Sequence, residues 1–324
     1  MTKKDLRIVF MGTPEFAVPA LEALINKGYN VVGVITAPDK EAGRGKKVRM
    51  SAVKEFAINN KLNVLQPHKL KDADFISKLR SLNATLQIVV AFRMLPKIVW
   101  SMPKLGTFNL HASLLPQYRG AAPINFAIIN GEKTTGITTF FLDKEIDTGR
   151  IIKQVEIEIS NNDDVGSLHD KMMEQGATLI LSTVEAILEG NIVPQEQSEF
   201  ISKSRVLNIA PKLNKEDCRI NWDTDSTSIN NFIRGLSPYP TAFSRLLSDD
   251  GLERIVKIFK VEVESTTGHG RTPGKIISDG SKYLNVVTKT GTVSILELQL
   301  SGKKRMKVGD FLRGFQKIND YRFE

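Results

Sequence analysis

Leu6–Thr36, LRIVFMGTPEFAVPALEALINKGYNVVGVIT, decides the fold. Leu6–Met11 is a short apolar run ended by Gly12. Pro14–Lys27 then takes helical spacing, with Phe16, Leu21, Leu24 and Ile25 near one face and Gly28 as a stop. Asn30–Thr36 is a second apolar run. Neither run alternates with polar residues, so each reads as a strand buried on both faces, and a strand–helix–strand unit of this kind builds a parallel sheet. Thr13 is placed to cap the helix, with Pro14 at its first position.

Reading outward, the pattern repeats. Ala37–Arg49 (APDKEAGRGKKVR) is polar and basic and reads as a long loop. Ser51–Asn60 reads as a helix, Asn63–Gln66 as a short strand and Asp72–Leu82 as a helix. Leu86–Phe92 (LQIVVAF) is the most apolar strand of the chain, and Gly106–Leu110 (GTFNL) is another. The expectation is an α/β, doubly wound Rossmann-like domain. Gly136–Leu142 and Arg150–Ile159 alternate like half-exposed strands, and Val165–Glu189 is a long helix closing this domain. Gly190–Ile209 is polar and irregular. From Ala210 the runs Ala242–Leu247, Arg254–Val263, Gly274–Ser278, Tyr283–Thr288 and Val293–Leu300 are short and separated by Gly, Asp or Ser, with one helical stretch at Ser226–Gly235. That pattern suggests a small OB-like β-barrel. The expected division is a catalytic domain over residues 1–203, a linker at 204–209 and a C-terminal OB-like domain over 210–324, in keeping with a length of 324 residues.

Hydrophobic residues make up 41% and charged residues 25%, as in soluble globular proteins. No apolar run is long enough to cross a bilayer, and MTKKDLRIVF has no secretory h-region, so a cytoplasmic location is expected. The single cysteine, Cys218, excludes an internal disulfide and a multi-cysteine zinc site; no His pair has zincin spacing, and no metal is expected. The net charge is +9, and from Lys203 onward 21 Lys/Arg face 14 Asp/Glu, which leaves +7 on the C-terminal third. Such a surplus suits a polyanion such as nucleic acid.

The dinucleotide fingerprint needs three glycines after the first strand. Only Gly12 is present, and Glu15 would repel phosphates, which counts against a dehydrogenase. The densest signal is instead Gly106–Ile124, GTFNLHASLLPQYRGAAPI. Asn109 and His111 stand two apart at the end of a strand, so their side chains share a face at the carboxyl edge of the sheet, where open α/β sheets bind ligands. Attack on a carbonyl builds negative charge on its oxygen, and an Asn amide and a His ring N–H both suit that oxyanion. Downstream, Leu142–Arg150 (LDKEIDTGR) is an acidic loop in which either Asp143 or Asp147 could orient His111 or take a proton. Spacing does not choose between them. His68, His169 and His269 show no comparable partners, and no G-x-S-x-G elbow is present.

FMGTPEFAVPAL, PDKEAGRGKK, FNLHASLLPQYRGAAPI, LDKEIDTGRII and APKLNKEDCRINW, in this order, resemble the methionyl-tRNA formyltransferase family nearly from end to end. The Asn-x-His pair with a downstream Asp is common to folate-dependent formyltransferases. The GRGKK loop and the basic barrel point within them to tRNA. The resemblance implies that Asn109, His111 and Asp147 are the catalytic triad and that Ser113, Leu114, Leu115 and Pro116 bind tetrahydrofolate. It further implies that Arg44, Lys46, Lys47 and Lys212 meet tRNA. The reaction it implies takes a formyl group from 10-formyltetrahydrofolate, as cosubstrate, to the α-amine of initiator methionyl-tRNA for translation initiation, in a monomer. The chain departs from the family at Phe92-Arg93-Met94, where an aromatic followed by Gly is usual; Arg93 falls near the expected folate pocket. A formyltransferase for a small amine would share the triad without needing GRGKK or a basic barrel, and a nucleic-acid-binding protein that is not an enzyme would not need Asn109.

Overall fold

The computed structural model describes residues 2–42, 47–201, 206–265 and 272–324. Two compact units emerge. The first holds 1–120, 134–158 and 169–209; the second holds 121–133, 159–168 and 210–324. Neither unit is one continuous stretch of chain.

In the first unit, β1 (Arg7–Gly12) leads through a 3-10 turn at Glu15–Ala17 into α1 (Val18–Asn26) and then β2 (Asn30–Ile35). The helix start departs from the expected one. Thr13 makes no cap: Pro14 precedes the 3-10 turn, and Pro19 sits in the first turn of α1. Gly12 has a packing reason, because a Cβ there would lie 2.7 Å from the Ala17 Cβ and 3.1 Å from the Val90 carbonyl. The polar stretch after β2 is not simply a loop; β3 (Lys40–Ala42) and β4 (Lys47–Arg49) pair as an antiparallel hairpin. α2 (Ala52–Asn59), capped by Ser51, β5 (Val64–Leu65), α3 (Ala73–Ser81), capped by Asp72, and β6 (Leu86–Val90) follow. Then come the short α4 (Lys97–Trp100), β7 (Thr107–His111) and the two-residue β8 (Arg119–Gly120).

The sheet runs β10-β9-β7-β6-β1-β2-β5, with β9 at Thr134–Phe141 and β10 at Ile151–Glu158. β1 pairs in parallel with both β2 and β6, and β6 pairs in parallel with β7. The strand order reverses at β1, as in doubly wound folds. The β7–β9 and β9–β10 pairings are antiparallel. One face of β1 packs Val9 and Met11 against Phe75, Ile76 and Leu79 of α3, with Val89 and Val99 in the same cluster. β9 was expected to be half-exposed; six of its eight residues are buried, because β7 and β10 flank it and the Thr138 and Thr139 hydroxyls find partners within the fold. α6 (Val165–Glu189) presses Gly176 onto Leu110, where a Cβ would meet the leucine at 2.7 Å. Leu110 thus faces α6, and its neighbours Asn109 and His111 point to the other face.

In the second unit, after the two-residue β11 (Ile209–Ala210), come α7 (Ser226–Arg234), capped by Asp225, β12 (Ala242–Ser248), β13 (Glu253–Ser265), β14 (Ile276–Ser278), β15 (Leu284–Val287), β16 (Thr292–Leu300), β17 (Met306–Lys307), α8 (Val308–Gly314) and β18 (Tyr321–Phe323). The strands follow the order β14-β15-β16-β13-β12-β18, with β17 beside β16, and every pairing is antiparallel. A bridge between Lys275 and Arg322, with Phe323 N donating to Gly274 O at 2.9 Å, joins the two ends of that order into an OB-like barrel. Trp222, Phe243, Ile258, Ile295, Leu298 and Phe311 are among the residues of its core. α5 (Pro123–Ile129) packs on α7 at Gly235, where a Cβ would lie 2.6 Å from Ile129. The Arg234 guanidinium ties the 159–168 segment in by donating to Ser160 O at 3.0 Å and Asp163 O at 2.9 Å. Cys218 is buried, its thiol directed at Asn214 O, and burial raises its pKa, which fits a structural side chain.

Candidate active site

β7 is an interior strand, so its ladder to β6 and β9 fixes where Asn109 and His111 leave the carboxyl end of the sheet. Asn109 is half-buried, and among the described residues its side-chain amide has no hydrogen-bond partner, which leaves its donors for a ligand. His111 is buried, with its ring edge-on to Phe140. Its Nε2 lies 2.9 Å from Tyr118 O. A carbonyl only accepts, so Nε2 carries the hydrogen of that bond and Nδ1 is the ring atom left for chemistry. Nδ1 faces Asp147 Oδ2 at 3.8 Å, with the two side chains 7% and 14% exposed.

The choice that spacing left open is therefore made by geometry. Asp143 is turned into its own loop, where Oδ1 accepts from Glu145 N at 3.0 Å and from Thr148 Oγ1 at 2.7 Å. Asp147 turns inward because its backbone adopts φ 56°, the left-handed region that is uncommon for a residue other than glycine. Gly120 N donates to Asp147 Oδ2 at 2.9 Å and steadies the carboxylate. Gly149 closes the loop so tightly that a Cβ would fall 1.7 Å from Phe141 O.

The Ser113–Pro116 segment follows directly after β7. Ser113 is fully buried and its Oγ donates to Gln117 O at 2.5 Å. Thr138 Oγ1 donates to Ser113 O at 2.6 Å and accepts from Leu115 N at 3.1 Å. Leu115 joins Phe140 and Ile151 in a small core. Leu114, Leu115 and Pro116, with Gln117, Gln154, Glu156, Phe200 and Leu207, line a cavity of about 390 Å³. Arg93, three residues beyond β6, donates to His68 O at 2.9 Å and also to Pro67 O, so its guanidinium is engaged by backbone carbonyls. His169 pairs with the adjacent Asp170 and its ring lies against Phe16.

Of the basic residues expected to meet RNA, Arg44 and Lys46 lie outside the described residues. So does the side chain of Lys47, whose backbone opens β4. Lys212 is exposed. His269 also lies outside the described residues. Among the described residues no group of three or more His, Cys, Asp or Glu is placed to hold a metal ion, and no helix is long and apolar enough to cross a membrane. Sequence reasoning missed Arg119 and Gln197: Gln197 reaches the acidic loop with donors to Asp147 O and Gly149 O, across about fifty residues that carry no shared periodicity.

An amide and an imidazole offered at the carboxyl edge of a doubly wound sheet, with a carboxylate behind the imidazole, define an enzyme built for transfer of an acyl group. Residues 6–184 match the formyl transferase family model, and residues 212–316 match that of the formyl transferase C-terminal domain. The chain belongs to the formyl transferase family. It is 56% identical over 317 residues to the methionyl-tRNA formyltransferase of Bacteroides fragilis, covering 97% of each chain. It is 54% identical over 322 residues to that of Bacteroides thetaiotaomicron, covering 99% of each. Among solved structures, the sugar 3N-formyltransferase WlaRD, determined in the presence of dTDP and 5-N-formyl-THF, superposes with a TM-score of 0.64 at 21% identity, over 92% of this chain and 99% of that one. HypX from Aquifex aeolicus in complex with tetrahydrofolic acid superposes with a TM-score of 0.63 at 18% identity, over 96% of this chain and 47% of that one. At such identities these two speak for the fold, which they share across both units.

Proposed function

We propose that the chain transfers the formyl group of 10-formyltetrahydrofolate to the α-amino group of initiator methionyl-tRNA, giving N-formylmethionyl-tRNA for translation initiation. The observation that carries the chemistry is the convergence of Asn109, His111 and Asp147 at the end of β7, with the carboxylate 3.8 Å from the imidazole. The acceptor follows from relatives above 50% identity over nearly the whole chain that are methionyl-tRNA formyltransferases.

A free α-amine has a pKa of about 7.7–8.0, so a useful fraction is neutral near pH 7 and a weak base suffices. The amine nitrogen forms a bond to the formyl carbon, and the carbonyl oxygen takes up the negative charge. Asn109 donates to that oxygen, and His111 does so from Nδ1 when the ring is protonated on both nitrogens. Asp147 takes the proton that the amine releases, directly or through a water. As the bond from the formyl carbon to N10 breaks, His111 passes its Nδ1 proton to the departing nitrogen, and the proton on Asp147 restores the ring. A single oxyanion donor is worth about a hundred- to a thousand-fold in rate.

Ser113, Leu114, Leu115 and Pro116 form the folate-binding segment in this reading, supported by their place directly after Asn109 and His111 in the chain. Residues 1–203 supply catalysis, 204–209 the linker, and 210–324 the tRNA-binding module. Arg44, Lys46, Lys47 and Lys212 hold the acceptor RNA through its phosphates, so binding weakens steeply with salt. The chain works as a monomer in the cytoplasm. The test is to incubate the protein with 10-formyltetrahydrofolate and charged initiator or elongator methionyl-tRNA. Formyl-methionine on the initiator alone, lost in Asn109→Ala, is expected. Folate consumption with a small amine but with neither tRNA would overturn the acceptor; no folate consumption with any amine would overturn the reaction.

A further inference from the structure

Asp147 holds its position from an exposed loop in the left-handed backbone region that few residues other than glycine adopt, and its carboxylate stands just beyond hydrogen-bond distance of His111. A small rotation of the 147 peptide would break that juxtaposition, so something has to pin the peptide. Gln197, which is 3% exposed, does so. Its Nε2 donates to Asp147 O at 2.8 Å and to Gly149 O at 2.9 Å, bridging the two peptides that shape the turn. Its Oε1 accepts from Arg119 Nε at 3.0 Å and Nη2 at 2.6 Å. A guanidinium only donates and a carbonyl only accepts, so the amide can satisfy all four bonds in one orientation only. Gln197 itself is anchored: Gln195 exchanges backbone hydrogen bonds of 2.8 and 2.9 Å with Ile151 at the start of β10, and Glu196 and Glu199 form a capping box around the 3-10 turn Gln197–Phe200. The consecutive residues Tyr118, Arg119 and Gly120 then reach His111, Gln197 and Asp147 in turn.

We propose that Gln197, oriented by Arg119, is a positioning residue for the formyl transfer: it acts through the Asp147 peptide to aim the carboxylate at His111, and it touches neither substrate. This rests on the reaction assigned above. Misplacement of a reacting group by about 1 Å costs up to about a hundredfold in rate. Gln197→Ala is therefore expected to lower kcat by about tenfold to a hundredfold, with KM for the folate and for the RNA nearly unchanged. Arg119→Lys, which keeps the charge but cannot present two donors side by side, is expected to lower kcat in the same direction by less. A residue that merely stabilises the fold would impose its loss on any background, whereas one acting through Asp147 has nothing left to position once that carboxylate is gone. The deciding experiment measures kcat for wild type, Gln197→Ala, Asp147→Asn and the double variant on formyl transfer to initiator methionyl-tRNA, with Tm measured alongside. The expected result is that Gln197→Ala costs less than threefold in the Asp147→Asn background. Equal losses in both backgrounds, or full activity in Gln197→Ala and Arg119→Lys, overturn the positioning role while leaving the reaction standing; a wild type that forms no formyl-methionine overturns both.

Discussion

His111 and Asp147 sit 3.8 Å apart, yet the chain holds them by opposite means. His111 ends an interior strand, where the β9 ladder reaches it and the β6 ladder reaches Leu110 beside it, and one side-chain bond to Tyr118 O sets the ring. Asp147 stands on a loop whose neighbours Lys144, Glu145 and Ile146 are exposed, and it depends on Gly120 N, Gln197 and the tight turn at Gly149. Position supplied by a ladder is cooperative and cheap to keep; position supplied by side chains from elsewhere in the chain can be lost one bond at a time. The strand half of the site is therefore expected to tolerate changes around it, and the loop half is not.

The largest test removes a group the strand presents. Asn109→Ala takes away the oxyanion donor of the proposed reaction without disturbing β7, so kcat is expected to fall about a hundred- to a thousand-fold at unchanged Tm. A Tm loss of many degrees would show that the strand does not hold itself. Next comes the loop. Gly149→Ala puts a Cβ on the Phe141 carbonyl, so the loop must shift, and kcat is expected to fall by up to about a hundredfold, with Asp147 displaced. Wild-type kinetics in this variant would break the comparison. Thr138→Val probes the bonds under Ser113–Pro116. It strands Leu115 N–H and the Ser113 carbonyl in the interior, at a cost of about 1–3 kcal/mol, read as a lower Tm with kcat changed little. The smallest effect lies in the barrel. Backbone N–H groups of Lys282 and Ser281 lower the Asp279 pKa to about 2. A carboxylate whose folded pKa is depressed contributes stability above its unfolded pKa and loses it as pH falls through the folded one. The small Tm difference between wild type and Asp279→Ala at pH 7 is thus expected to shrink as pH drops from about 4 to about 2, and a difference that persists below that range would locate the effect elsewhere.

The same contrast explains what was legible in the sequence. Strands buried on both faces announce themselves as largely apolar runs, so β1, β2 and β6 and the parallel sheet could be read directly. Asn109 and His111 were legible because a strand places i and i+2 on one face. The barrel was legible from its short runs separated by Gly, Asp or Ser. Asp147 could not be separated from Asp143, because the difference is a backbone φ and a contact with Gly120, twenty-seven residues away. The pairing of Arg119 with Gln197 left no trace, since a side-chain pair across seventy-eight residues imposes no period. The hairpin of β3 and β4 hid in a polar stretch whose charge argued only for exposure, and the burial of β9 hid behind threonines, of which Thr138 and Thr139 find hydroxyl partners inside the fold.

The seam at Lys275–Arg322 also orders events in time. Strands β12 and β14 keep an unpaired edge until the segment around Phe323 arrives, and an unpaired edge invites association with other chains. Ala121–Lys133 and Ile159–Leu168 are synthesised long before the rest of their unit and must wait, apolar faces and all, for residues beyond 210 to receive them. During synthesis the growing chain therefore carries two early pieces of a late structure, and the interval before the ring closes is when it most needs shelter from its neighbours.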